Sequence, residues 1–169
     1  MAVTQKSNLI LKIIASLTNG LDLGDVVDNL SLDWTVNFGD GAGANAAQQI
    51  WHDQRTLNAS ATENLDLAGS LTNAFGTTLT FTKLKGLFVK AASGNTNNVN
   101  VIREGTNGVP LFLALGDGIP VKPGGWFAWV DPSAAGVTVT AATGDLLTFT
   151  NSAGGTAVTY DVVIIGATS

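Results

Sequence analysis

The sequence predicts an all-β protein, an antiparallel sandwich or barrel with a less regular N-terminal region. Only 12 % of the residues are charged and 45 % are hydrophobic, so threonine, asparagine, serine and glycine replace the charged residues that usually cover helices. Threonine suits the pleated surface of a strand, and glycine and asparagine form tight turns. Short apolar runs also recur about every 8–12 residues in the second half of the chain, with turn formers between them.

The N-terminal region, residues 1–47, contains the less regular elements. Residues 7–17 (SNLILKIIASL) predict a first strand or a docking arm, because this apolar run is too short to cross a membrane as a helix. Lys12 interrupts the run, so we expect no secretory signal. Residues 31–38 predict a strand whose apolar side chains share one face: Leu32, Trp34, Val36 and Phe38.

Residues 39–47 are rich in glycine and alanine and predict a flexible loop. This loop follows a plausible strand, as nucleotide-binding loops do. However, it lacks the third glycine of a dinucleotide fingerprint and the Lys-Ser/Thr pair of a P-loop, so we expect no nucleotide cofactor. The next stretch, residues 47–57, is compatible with a short helix or a strand.

Residues 48–169 predict the β-sandwich, and the whole chain is expected to form one compact domain. The predicted strands of the second half are 78–92, 99–104, 109–116, 121–130, 137–141, 146–150 and 156–166. Two of them are apolar on both faces, namely the strand ending in GGWFAWV and the final strand VTYDVVIIG. Such strands must be covered on both sides, either by a second layer of the same chain or by a partner subunit.

The charge and the amino-acid content exclude several classes of protein. The net charge is −5, and the eight Lys and Arg residues form no cluster, so we expect no binding to nucleic acid. The chain has no cysteine, which excludes disulfides and thiolate metal sites. We also expect no membrane partner.

His52 is the single histidine and the first candidate for a catalytic residue. On a strand it would point away from Asp53 and Arg55, and an acid–base centre needs a carboxylate that orients the histidine toward a nucleophile. Three further candidates are near only in sequence: Ser60, Glu63 and Asp66. We therefore predict that His52 is structural or faces solvent, that no residue is catalytic, and that the chain is not an enzyme.

Metal and glycan binding receive little support from the sequence. Three aspartates have helical spacing but not the alternating pattern of a calcium loop: Asp22, Asp25 and Asp28. A solvated acidic face accounts for them, so we expect no metal. Trp126 and Trp129 would lie on opposite faces of a strand and would not form one platform for a sugar.

Several segments between residues 48 and 167 resemble a family of small tailed-phage virion proteins. The resemblance rests on the DQRTL segment, the DLAGSL turn, the GNTNN loop and the final VTYDVVIIG strand. None of these motifs is catalytic. They describe a β scaffold, in agreement with the spacing of the strands.

The resemblance implies a capsid decoration (cement) protein with a compact, jelly-roll-like β-sandwich. Such a protein is made in the host cytoplasm and binds the outside of the major capsid protein lattice in the virion. Its expected partners are the major capsid protein and further copies of itself, and we favour a homotrimer. The alternative is a tail-tip or fibre module that binds a host-surface glycan.

Overall fold

A computed structural model describes residues 4–169, and these residues form strands and turns without a helix. The strands are β1 (Ser7–Leu21), β2 (Gly24–Asp40), β3 (Ala46–Ala47), β4 (Gln49–Leu57), β5 (Thr62–Asp66), β6 (Lys83–Ala91), β7 (Val99–Ile102), β8 (Gly118–Val121), β9 (Trp126–Val130), β10 (Val137–Thr138), β11 (Leu146–Asn151) and β12 (Val158–Ala167). The all-β prediction is confirmed.

Strands β4 to β12 form two sheets that pack face to face as a sandwich. One sheet has the order β10, β6, β12, β4, and β9 pairs with β6 on the same side as β10. The other sheet has the order β5, β11, β7, β8. All neighbouring strands within these two sheets are antiparallel.

Alternating side chains of the central strands fill the space between the sheets. On β12, Tyr160, Val162 and Ile164 are buried in this core, as the alternation of the sequence predicts. The ring of Tyr160 stacks on Phe149 of the opposite sheet, with a centroid distance of 4.7 Å and an interplanar angle of 17°. This aromatic pair joins the two sheets at the centre of the sandwich.

The outer face of the five-stranded sheet is covered in part by the N-terminal region. Ile165 of β12 is buried there together with Phe38 and Ala47. Val163 and Phe88 are only partly buried beside them. The chain therefore supplies a second layer over one end of this face and leaves the remainder open.

Strands β1 and β2 form a long antiparallel hairpin, which we call the arm. Its 15 residue pairs run from Ser7 opposite Phe38 to Leu21 opposite Gly24. At about 3.3 Å per residue, the arm is roughly 50 Å long. The predicted strands 7–17 and 31–38 are thus parts of longer strands, and the predicted common face of residues 32–38 is confirmed.

The structure decides one open prediction and corrects two others. Of residues 47–57, which were compatible with a helix or a strand, residues 49–57 form β4, and β4 pairs with β12 along its whole length. The predicted strand 109–116 is a loop, in which Arg103 Nη1 donates hydrogen bonds to the carbonyl oxygens of Phe112 and Leu113. The predicted strand 121–130 is divided into β8 and β9 by the turn at residues 122–125, which contains Pro123 and Gly124.

Candidate interaction surface

The residues around His52 are distributed over the two faces of β4. Trp51 is buried in the core, whereas His52 is exposed on the outer face of the sheet. Asp53 and Arg55 share the face of Trp51, so they point away from His52 as predicted. The alternation of the strand thus directs the imidazole to one face and the side chains of Asp53 and Arg55 to the other.

Arg55, Glu63 and Tyr160 form a network that joins the two sheets. Arg55 Nη2 lies 2.5 Å from Oε2 of Glu63 on β5, and Arg55 Nη1 lies 3.1 Å from Asp53 Oδ2. The hydroxyl of Tyr160 donates a hydrogen bond of 2.6 Å to Glu63 Oε1. The hydrogen bond with Glu63 raises the pKa of Arg55, and burial raises the pKa of Tyr160. The network holds β4 and β12 against β5.

Asp66 and Ser60 act in the local turns. Asp66 Oδ1 accepts a hydrogen bond of 2.8 Å from the backbone N–H of Ala68, which fixes the turn after β5. Ser60 has a positive φ of 57° in the turn between β4 and β5. Both residues therefore belong to the turns that follow the strands β5 and β4.

The glycine- and alanine-rich loop receives a buried lysine. Lys85 is fully buried and donates from Nζ to the carbonyl oxygen of Gly43 at 2.5 Å and to that of Ala42 at 3.4 Å. A β-bulge between β6 and β12 places Lys85 there, since Leu84 and Gly86 pair with consecutive residues of β12. Burial lowers the pKa of Lys85, Lys83 lowers it further, and Asp131 opposes these effects.

The same loop directs its backbone N–H groups inward. The N–H groups of Gly39, Gly41 and Asn45 donate to carbonyl oxygens at distances of 2.9, 3.2 and 2.7 Å. A phosphate-binding loop needs such groups free to face the anion. This loop presents carbonyl oxygens to an amine instead.

The three aspartates with helical spacing lie in the arm. Because the arm is a β-hairpin, this spacing does not place them on one face. Asp22 is in the turn, and Asp25 and Asp28 lie on opposite faces of β2, so the prediction of one acidic face is wrong. Within residues 4–169, no group of three His, Asp or Glu side chains is placed to hold a metal ion. The same residues contain no helix long and apolar enough to cross a membrane.

One face of the arm is mainly apolar, and Asn19 and Asp28 interrupt it near the tip. The register places these side chains on it: Leu9, Leu11, Ile13, Leu17, Leu21, Val26, Leu30, Leu32, Trp34 and Val36. We call this set the apolar arm face. Only its base contacts the sandwich, where Leu9 and Val36 are partly buried against the five-stranded sheet.

The remainder of the arm projects into solvent. Every residue from Lys12 to Ser31 is exposed, and the exposed fractions of Leu17 and Val26 are 73 % and 59 %. An isolated two-stranded hairpin is marginally stable in water, and a contiguous apolar surface usually marks an interface. The arm is therefore the main candidate interaction surface.

An apolar groove of about 740 Å³ lies where the arm leaves the sandwich. One wall is the base of the arm, with Leu11 and Trp34, and the other wall is the outer sheet face, with Phe88, Trp126 and Ala128. Trp126 is 61 % exposed, whereas Trp129 packs against the core. The predicted opposite orientation of these tryptophans is confirmed.

A second pocket, of about 460 Å³, lies beside the start of β4 and the turn at residues 72–77. Phe75, which is 75 % exposed, and the exposed Asp53 and His52 line it. Asn73 Oδ1 accepts hydrogen bonds from the N–H groups of Phe75 and Thr77, each 3.0 Å long, so its amide group is held in place. An aromatic ring beside amide and carboxylate groups is suited to sugar hydroxyls.

The sequence patterns did not predict the strand residues around the tip of the arm, between 18 and 30, or the role of Lys85. A signal for the arm was present, because apolar residues continue at Leu21, Val26 and Leu30 on both sides of the Asp22–Leu23 turn. Comparison with known proteins identifies no matching family model, curated protein or solved structure. The arm, the groove and the second pocket are therefore the features of the molecule that point to a function.

Proposed function

We propose that the chain is a virion structural protein of a tailed phage, a capsid decoration protein that binds the outside of the major capsid lattice. The exposed apolar arm face carries this proposal. A sandwich that buries its own core but projects about 50 Å of apolar hairpin is built for assembly with other subunits.

The arm also offers unpaired strand edges. Among residues 4–169, β1 pairs only with β2, so its outer edge has free backbone groups, and an extended segment of a capsid subunit can add to that edge. Several weak contacts from one oligomer raise the effective affinity by about 10²–10⁴, which makes binding specific for the assembled lattice. We expect the oligomer to be a trimer, with a mass three times the 17.3 kDa of the chain.

The strand order supports the proposal by analogy. We infer that the sandwich is a jelly roll, since the orders β4-β12-β6-β9 and β5-β11-β7-β8 correspond to the two sheets of that fold. Jelly rolls occur in viral capsid proteins and in lectins. The fold thus agrees with both candidate functions and does not decide between them.

The alternative is a tail-tip or fibre module that binds a host-surface glycan. The pocket beside Phe75 favours this candidate, because its exposed ring and fixed amide are suited to a saccharide. The apolar arm has no role in glycan binding, and for that reason the tail-tip or fibre module is our second candidate.

Co-sedimentation tests the two functions directly. The purified protein is mixed with expanded heads that lack it, with free capsid subunits, with isolated tails and with host envelopes. A decoration protein pellets with expanded heads and stays in the supernatant with free subunits. Pelleting with tails or envelopes, and not with heads, would replace this proposal by the alternative.

A further inference from the structure

We propose that the distal arm, residues 14–31, inserts into the groove of a second copy of this chain. The result is a closed oligomer in which each copy donates one arm and accepts one. The interface joins two surfaces that a single chain leaves open. This inference goes beyond capsid binding and does not depend on it.

The distal arm is too far from its own groove to fill it. Lys12 is the last residue of β1 that lines the groove, and Leu21 lies nine residues further along the strand. At about 3.3 Å per residue, this separation is roughly 30 Å. The arm is a paired, extended ribbon over this distance, so contact between its tip and the groove requires another copy.

The distal arm has the shape and polarity of an inserted ribbon. Leu17 and Leu30 lie on the apolar arm face, and Ile14 and Val27 are exposed apolar residues on the opposite face. A groove with two apolar walls covers both faces at once. The other residues of this opposite face are polar or glycine along the whole arm, apart from Ile10 at its base.

The charges of the two surfaces are complementary. The distal arm contains Asp22, Asp25 and Asp28 and no basic residue. Lys12 lines the groove, and Lys90 lies directly opposite Trp126 on the neighbouring strand. Asp33 lies opposite Lys12 and Asp161 lies opposite Lys90, but within residues 4–169 neither lysine has a carboxylate within salt-bridge distance.

The area is sufficient for a specific contact. The eight residue pairs of the distal arm, Ile14 opposite Ser31 to Leu21 opposite Gly24, cover about 26 Å by 10 Å on each face. Two covered faces and the matching groove walls together bury about 1,000 Å², the lower range of specific interfaces. A second copy is also present wherever the protein is made. It can therefore cover the exposed apolar arm as soon as the chain has folded.

Engineered cysteines test the proposal, because the chain has none of its own. The variants Leu21→Cys and Trp126→Cys are purified separately, mixed and treated with a short thiol crosslinker. We expect a covalent dimer that contains one chain of each variant. The matched control replaces Trp126→Cys by Phe75→Cys, which alters an even more exposed aromatic residue outside the groove, and should give at least tenfold less product.

Light scattering supplies the second test, without capsids. Leu30→Asp on the apolar arm face should shift the protein to monomer, whereas Thr62→Asp, at an exposed position of β5 outside the arm and the groove, should not. Trp126→Asp should have the same effect as Leu30→Asp and leaves the arm unaltered. A monomeric wild-type protein at micromolar concentration, or equal crosslinking at positions 75 and 126, would overturn the proposal, whether or not the protein binds heads.

Discussion

The hydroxyl of Tyr160 on β12 donates a hydrogen bond of 2.6 Å to Oε1 of Glu63 on β5, in the opposite sheet. The phenol is buried, and the carboxylate is held on its other side by Arg55. The network of Arg55, Glu63 and Tyr160 therefore links the two sheets of the sandwich.

Tyr160→Phe should destabilise the fold by about 2 kcal/mol, the usual contribution of a buried hydrogen bond to a charged group. Urea unfolding of the variant and the wild type measures this difference. Glu63→Gln leaves one carbonyl oxygen for two donors, the phenol and the Arg55 guanidinium, and should therefore cost at least as much as Tyr160→Phe. A change below about 0.5 kcal/mol for Tyr160→Phe would show that this hydrogen bond does not stabilise the fold.

The same phenol predicts a dependence on alkaline pH. Burial raises the pKa of Tyr160 above its ordinary value of 10.0, so the unfolded state loses its proton first. The contribution of the phenol is complete below pH 10 and is lost as the pH rises toward the higher folded-state pKa. Between about pH 10 and 11.5 the wild type should lose stability more steeply than Tyr160→Phe. Equal slopes in urea titrations would refute this assignment.

His52 and Trp51 are adjacent but should differ strongly in their effect on stability. His52→Gln alters an exposed side chain and should change the free energy of unfolding by less than about 0.5 kcal/mol. Trp51→Ala empties part of the core and should cost about 3–5 kcal/mol. Binding to heads by the folded His52→Gln protein should be unchanged, and a loss of binding would show that His52 belongs to the interface.

Lys85 should stabilise the fold mainly through its buried stem. Lys85→Met keeps most of the volume and removes a desolvated amine, so we expect a change under about 1 kcal/mol, whereas Lys85→Ala should cost about 2–4 kcal/mol. Because the folded-state pKa is below 10.5, the unfolded state binds the proton more strongly between these values. Stability from this group therefore rises with pH in that window, and both variants should lose this rise.

The sequence predicted the sandwich well because its strands alternate in polarity, as at Tyr160 and Val162. It predicted the arm poorly because residues 18–25, TNGLDLGD, have the composition of a loop and interrupt the apolar pattern. Lys85 was not found because a bulge reverses the alternation at that point. The groove was not predictable, since it depends on the angle at which the base of the arm meets β9.

Gly166 lies at the bulge and tolerates no side chain. An added Cβ would overlap the carbonyl oxygen of Lys83 and lie 2.7 Å from Cδ1 of Phe81. Gly166→Ala should therefore cost about 1–3 kcal/mol. Gly154→Ala is the control, since its nearest new neighbour is Ser60 Oγ at 3.5 Å. Equal midpoints in thermal unfolding would show that β12 shifts freely at this position.

A shortened arm separates folding from assembly. Ile13 and Leu32 lie directly opposite each other, so residues 14–31 can be replaced by Asn-Gly, which forms a two-residue hairpin turn. The sandwich should keep its thermal midpoint, because the deleted residues are all exposed. The shortened protein should fail to form the oligomer and should bind expanded heads at least tenfold more weakly, through the loss of linked contacts.

Heads with the wild-type protein should also survive heating longer than bare heads, whereas heads mixed with the shortened protein should not. Full protection by the shortened protein would show that the sandwich alone binds the lattice.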